Sequence, residues 1–149
     1  MAYWLVKSEP EEYSFNDLTQ ELKGRWNGVR NFVALGYMRK MKTGDFVFVY
    51  HTGKEKAIVG VAEVVTTAYP DPNENDSRFI VVDLTARYRL PRPVTLKEIK
   101  ANAIFSDWQL VRQSRLSVMP VPEHLWTLIH SLAEQPLGSN RKLEPLKYY

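Results

Sequence analysis

Residues 79–90 alternate with a period of two. Ile80, Val82, Leu84, Ala86, Tyr88 and Leu90 fall on one side; Asp83, Thr85, Arg87 and Arg89 fall on the other. Successive side chains of a strand point to opposite faces, so this pattern predicts an antiparallel β-strand with one face on a core. Residues 45–51 are so densely β-branched and aromatic that they predict a strand buried on both faces. A turn at 52–56 leads into another strand over 57–67, interrupted at Gly60. A short strand is expected at 3–7, ended by Pro10, and a last one at 115–121. Residues 69–76 carry two prolines among polar side chains and predict a loop.

Helices fit into the gaps. Ser14 with Asp17 reads as a capping box opening a helix to Leu22, with Gly24 as its terminator. Asn31 is placed to cap a second helix that points Phe32, Leu35, Met38 and Met41 inward and runs toward Gly44. Thr95 with Glu98 caps a third, ending near Asn102. Pro122 starts a fourth with Leu125, Leu128, Ile129 and Leu132 on one stripe. Strands of this length joined by hairpins, with helices at the ends, predict an α+β fold built around a small closed or half-open β-barrel. One domain is expected over residues 1–134, followed by a tail at 135–149.

With 44% hydrophobic residues the chain can build a full core, and with no cysteine it has neither disulfides nor thiolate metal ligands. His124 and His130 lie six apart on the last helix, which does not bring them to one face, so no metal site is expected. No glycine-rich phosphate loop or dinucleotide fingerprint is present, and no cofactor is expected. Met1-Ala2-Tyr3-Trp4 does not read as a signal peptide and no run approaches a membrane span. A cytoplasmic monomer without membrane contact is the expectation. The net charge of +3 permits a polyanion partner without requiring one.

Two polar clusters stand out. Trp26-Asn27-Gly28-Val29-Arg30-Asn31 sets an aromatic, a guanidinium and an amide around a glycine, a combination suited to a flat ring and its edge. The same residues also fit a core anchor followed by a helix cap. Lys7-Ser8-Glu9-Pro10 follows directly on the first strand, where Lys7 and Glu9 share strand parity and emerge together or pair with each other. Trp4, Trp108 and Trp126 are expected to pack in the core.

Trp4-Leu5-Val6-Lys7-Ser8-Glu9-Pro10, Trp26-Asn27-Gly28-Val29-Arg30-Asn31, Phe48-Val49-Tyr50-His51-Thr52, Tyr69-Pro70-Asp71 and Arg115-Leu116-Ser117-Val118 occur in that order. The chain in this respect resembles the EVE domain family, the bacterial relatives of thymocyte nuclear protein, from about residue 3 to 133. It departs in having Thr52 where the family usually has serine, which keeps the hydroxyl. The resemblance implies a PUA-like barrel that binds modified bases in DNA or RNA. Extruding a base costs a few kcal/mol, and stacking on Trp26 would return about 1–3 kcal/mol. Under this reading Glu9, Ser8, Asn31 and Thr52 read the base edge, and Lys7, Arg30 and Arg115 meet phosphates. Val29, His51 and Ser117 line the site, His51 with the alternative of a hydrogen-bonded structural role. Arg30 has the alternative of holding Glu9. The rival expectation is an enzyme similar to ASCH-type amidohydrolases of modified nucleosides, with Lys7, Thr52 and Glu9 as its working groups. A protein-interaction module is the third.

Overall fold

The computed structural model describes residues 1–136. The tail expected from residue 135 therefore lies almost wholly outside the described residues. Six strands form one sheet: β1 (Tyr3–Ser8), β2 (Gly24–Trp26), β3 (Phe46–His51), β4 (Ala57–Pro70), β5 (Ile80–Thr95) and β6 (Val118–Pro120). Their order is β2-β5-β4-β3-β1-β6, so the three-residue strands β2 and β6 are its two ends. They do not pair with each other, and the sheet stays open. Short edges of this kind leave little unpaired backbone for another chain to join. Five short helices complete an α+β fold: α1 (Phe15–Thr19), α2 (Phe32–Lys40), α3 (Leu96–Lys100), α4 (Gln109–Arg112) and α5 (Glu123–Ala133).

Both faces of the sheet are covered. Trp126 of α5 stacks on Tyr3 of β1 at 4.4 Å and on Phe48 of β3 at 3.9 Å between ring centroids. The next residue of β1, Trp4, points to the opposite face and meets Tyr37 of α2. Strand β3 lies between these layers, which is why residues 47–51 are all buried, as their composition predicts. Trp4, Trp108 and Trp126 are core residues as expected.

The hairpins β3–β4 and β4–β5 are antiparallel, but β1 and β3 run parallel, with Lys7 opposite Tyr50 and Ser8 opposite His51. A parallel pair needs a long crossover, here the segment that holds α1, β2 and α2. This parallel pair sets the end of β1 beside the end of β3.

Several boundaries differ from the sequence reading. Helix α1 ends at Thr19, not Leu22, which is 96% exposed and has nothing to bury against. Gly24 begins β2 instead of closing that helix. A Cβ there would lie 2.6 Å from Leu18 and 2.7 Å from the Tyr13 hydroxyl, so close approach is what selects glycine. Tyr69 and Pro70, expected in the loop, finish β4 opposite Val81 and Ile80. Strand β5 runs on through Pro91 and Pro93; no β4 partner faces residues 90–93, so neither proline removes a needed ladder bond. The last strand is shorter than expected and begins at Val118, leaving Arg115 in a turn. Arg115 and Ser117 therefore do not alternate along a common strand face.

Candidate functional site

The ends of β1 and β3 meet in a compact polar group. The Thr52 N–H donates to the Ser8 carbonyl at 2.9 Å, extending the parallel ladder past both strands. The Thr52 hydroxyl donates to the Glu9 carboxylate at 3.2 Å. Gly53 carries that carboxylate against its Cα: an added Cβ would come within 3.1 Å of it, and φ is +75°. The Ser8 hydroxyl donates to the Tyr13 carbonyl, and the Tyr13 N–H donates to the Glu9 carbonyl at 2.8 Å. Ser8, Glu9 and Thr52 are thus brought together, as the motifs require.

His51 sits behind this group. Its Nε2 accepts the Phe15 N–H at 2.9 Å, which leaves the proton on Nδ1, and Nδ1 donates to Glu55 at 2.8 Å. The ring is 7% exposed and both its nitrogens are engaged. It ties the first turn of α1 to β3.

Trp26, expected as an open aromatic face, is 6% exposed. Its residue lies opposite Val82 in the sheet, and its ring meets that of Tyr13 edge-on at 5.9 Å. Burial, with Glu21 accepting from its hydroxyl, pushes Tyr13 up to about 12. Tyr13 therefore joins the Glu9 group to Trp26, a link that the sequence reading missed. Only the crossover brings the two residues together, so no spacing announces it.

A second group forms where β1 meets the segment before β6. The Lys7 ammonium donates to the Ser114 carbonyl at 2.9 Å and lies 5.5 Å from the Tyr50 ring centre. Burial lowers its pKa below the ordinary lysine value. No carboxylate pairs with it among the described residues, so the expected alternative of a Lys7–Glu9 ion pair is not observed. The Lys7 backbone N–H donates to the Ser117 carbonyl at 2.9 Å, which places Ser117 at this junction. Beside it opens a cleft of about 330 Å³ lined by Asn31, Val33, Arg112, Ser114, Arg115 and Leu116 among others, a volume in the range of small-ligand sites. Asn31 and Arg115, distant in sequence, converge here. Asn31 also caps α2, its side-chain oxygen accepting the Ala34 N–H at 3.0 Å.

Arg30 goes elsewhere. It pairs with Glu74 and lies over the Phe79 ring at 3.9 Å, so it does not hold Glu9. Val29 is half-buried against the core. The three groups of the enzymatic alternative are only partly assembled: Glu9 and Thr52 touch, while Lys7 bonds to Ser114. Among the described residues no helix is long and apolar enough to cross a membrane, and no cluster of three or more His, Cys, Asp or Glu converges.

A sequence profile described as the EVE domain matches residues 2–132. Thymocyte nuclear protein 1 of Mus musculus is 31% identical, over 89% of this chain and 74% of that protein. The NMR structure of Rpa0253 from Rhodopseudomonas palustris is 39% identical with a TM-score of 0.85, covering 95% of this chain and all of that one. Human THYN1 protein, whose crystal structure is a complex with DNA containing 5-methylcytosine, is 28% identical with a TM-score of 0.84 over 91% of this chain and 99% of that one. A likeness to ASCH from Zymomonas mobilis, at 12% identity and TM-score 0.50 over 82% of this chain and 89% of that one, concerns the fold alone.

Proposed function

The chain belongs to the EVE domain family, and from that premise we propose that it binds nucleic acid carrying a modified base, such as a modified cytosine, and leaves the base unaltered. The observation that carries this reading is the human THYN1 complex with 5-methylcytosine DNA, a protein sharing the present fold over nearly its whole length. The two polar groups supply the chemistry. An extruded base enters the cleft beside the end of β1, next to the Ser8–Glu9–Thr52 group, which Tyr13 and the buried Trp26 support from behind. Ser8, Glu9, Thr52 and Asn31 match its edge; each unmatched buried donor or acceptor on the wrong base costs about 1–3 kcal/mol. Lys7 and Arg115 meet the flanking phosphates, since neither has a carboxylate partner among the described residues. Val29 and Ser117 shape the walls. His51 positions Thr52 and Phe15 from behind.

The test is a titration against oligonucleotides that differ in one base modification, with mass spectrometry of the oligonucleotide afterwards. Selective binding with unchanged mass supports the reading. Equal affinity for modified and unmodified oligonucleotides overturns it. A changed mass turns attention to an enzyme acting through Lys7, Thr52 and Glu9. Affinity should also fall with salt, and Lys7→Met or Arg115→Ala should each reduce the log–log slope by about 1.

A further inference from the structure

Beside the cleft lies an exposed ladder of flat groups that the proposed function leaves unused. Phe32, the first residue of α2, is 52% exposed although its position in the helix pattern predicted a core side chain. Its ring stacks on Phe79 at 5.7 Å and 26° between planes. The Arg30 guanidinium lies over the far ring, 3.9 Å from the Phe79 centre, and the Arg78 guanidinium lies 5.1 Å from the centre of Phe32. Glu74 holds Arg30 and Asp76 holds Arg78, while the Arg78 carbonyl accepts from Arg39 at 2.6 Å. The ladder is thus built from two separate segments, residues 30–32 and 78–79, and held at several points. It adjoins the cleft along the chain: Asn31 and Val33, the residues on either side of Phe32, both line the cleft.

We propose that this ladder is a stacking site for the unpaired nucleobase next to the one that the cleft takes, so that the natural target is single-stranded at that position. This rests on the modified-base reading above. A base inside a duplex already has both faces covered and has none to offer Phe32, whereas an unpaired base does. A nucleobase exchanges for the Arg78 guanidinium on the Phe32 face, since base-on-ring stacking is the stronger contact at an exposed site. Arg78 keeps Asp76 after the exchange, through hydrogen bonds of 2.7–3.1 Å. Arg115 on the cleft then meets the phosphate that joins the two nucleotides, without leaving a carboxylate to do so.

The experiment compares the whole protein with Phe32→Ala, an exposed change that leaves the Asn31 cap intact. Four probes are used: a single-stranded nonamer of thymidines with a central 5-methylcytosine, the same strand annealed to its complement, the same strand with abasic sites flanking the 5-methylcytosine, and the unmodified nonamer. The expected result is that the wild-type protein binds the first about tenfold more tightly than the abasic-flanked strand. Phe32→Ala should remove that difference, keep its affinity for the abasic-flanked strand and keep the ratio between modified and unmodified nonamers. Equal wild-type binding of flanked and abasic strands, duplex binding as tight as single-strand binding, or an unaffected Phe32→Ala variant would each overturn the stacking site. A ratio of one between modified and unmodified strands sinks the modified-base reading instead. The flanking-base comparison still reports on the ladder in that case, because unmodified strands use it too.

Discussion

Replacing His51 with phenylalanine separates a ring that holds the site from one that touches the ligand. Phenylalanine keeps the shape of the ring but has no Nε2 to accept the Phe15 N–H, a buried donor at 2.9 Å on the first turn of α1. Leaving such a donor unpaired costs about 1–3 kcal/mol. The lost Nδ1–H bond to Glu55 adds little, since that carboxylate is 40% exposed and water replaces the contact. Burying carbon in place of nitrogen returns roughly 1 kcal/mol. The net expectation is a loss of about 1 kcal/mol, and at most about 2, which for a chain of this size lowers Tm by about 3–6 °C. Urea unfolding followed by tryptophan fluorescence should show a lower midpoint with an unchanged slope. At 15 °C, where the variant stays folded, its affinity for the preferred oligonucleotide should be within about twofold of wild type. An unchanged midpoint refutes the hydrogen-bond argument. Lost binding at unchanged stability would mean that the ring meets the base itself.

Asp45 is the second position with a defined magnitude. Its carboxylate accepts the Trp4 indole N–H and the Lys42 N–H, each at 2.9 Å, and the Ala2 N–H at 3.2 Å. Asp45→Ala should cost about 2–5 kcal/mol in urea unfolding, and Asp45→Asn clearly less, because one oxygen still serves two donors. Gly60→Val should cost about 1–3 kcal/mol by crowding, because a Cβ at Gly60 would lie 2.6 Å from the buried Phe15 ring; an unchanged Tm would show that the ring can move. His130, on α5, has its pKa lowered from 6.5 by burial, against smaller upward effects from the Trp126 carbonyl and Glu134. The unfolded chain therefore binds a proton more readily than the native one, so stability should fall as pH drops below 6.5 and level off under the native value. His130→Gln should flatten that part of a Tm-against-pH curve relative to wild type, and parallel curves would show that another group is responsible.

Much of the local structure was legible in the residues. The capping boxes at Ser14 and Thr95 form as written, and Asn31 caps α2. Such signals act within a few residues, so they survive any tertiary setting. The dense apolar run at 45–51 foretold a buried strand. The alternation at 79–90 predicted one buried face, whereas the structure buries residues 80–84 on both faces and exposes 87–89. Boundaries were weaker wherever a long-range contact decided them. Gly24 reads as a helix stop until Leu18 and Tyr13 are seen pressed against it. The strand expected over 79–90 runs on through Pro91 in the structure, where β4 offers no partner to residues 90–93.

By itself the sequence determined the chemical inventory: the hydroxyls, carboxylate and ammonium around Lys7-Ser8-Glu9, the amide of Asn31, the ordered motifs of the EVE family, and a chain that alternates strands with short capped helices. The tertiary structure alone decided which of these groups share a site. The parallel pairing of β1 with β3 sets Glu9 against Thr52, 43 residues away. The same fold buries Trp26 at the edge of Tyr13, sends Arg30 to Glu74 and Phe79, and brings Arg115 to Asn31. Side-chain chemistry and short-range caps are properties of neighbouring residues along the chain. Proximity between distant residues follows from how one sheet is threaded, and many threadings are compatible with the same local pattern.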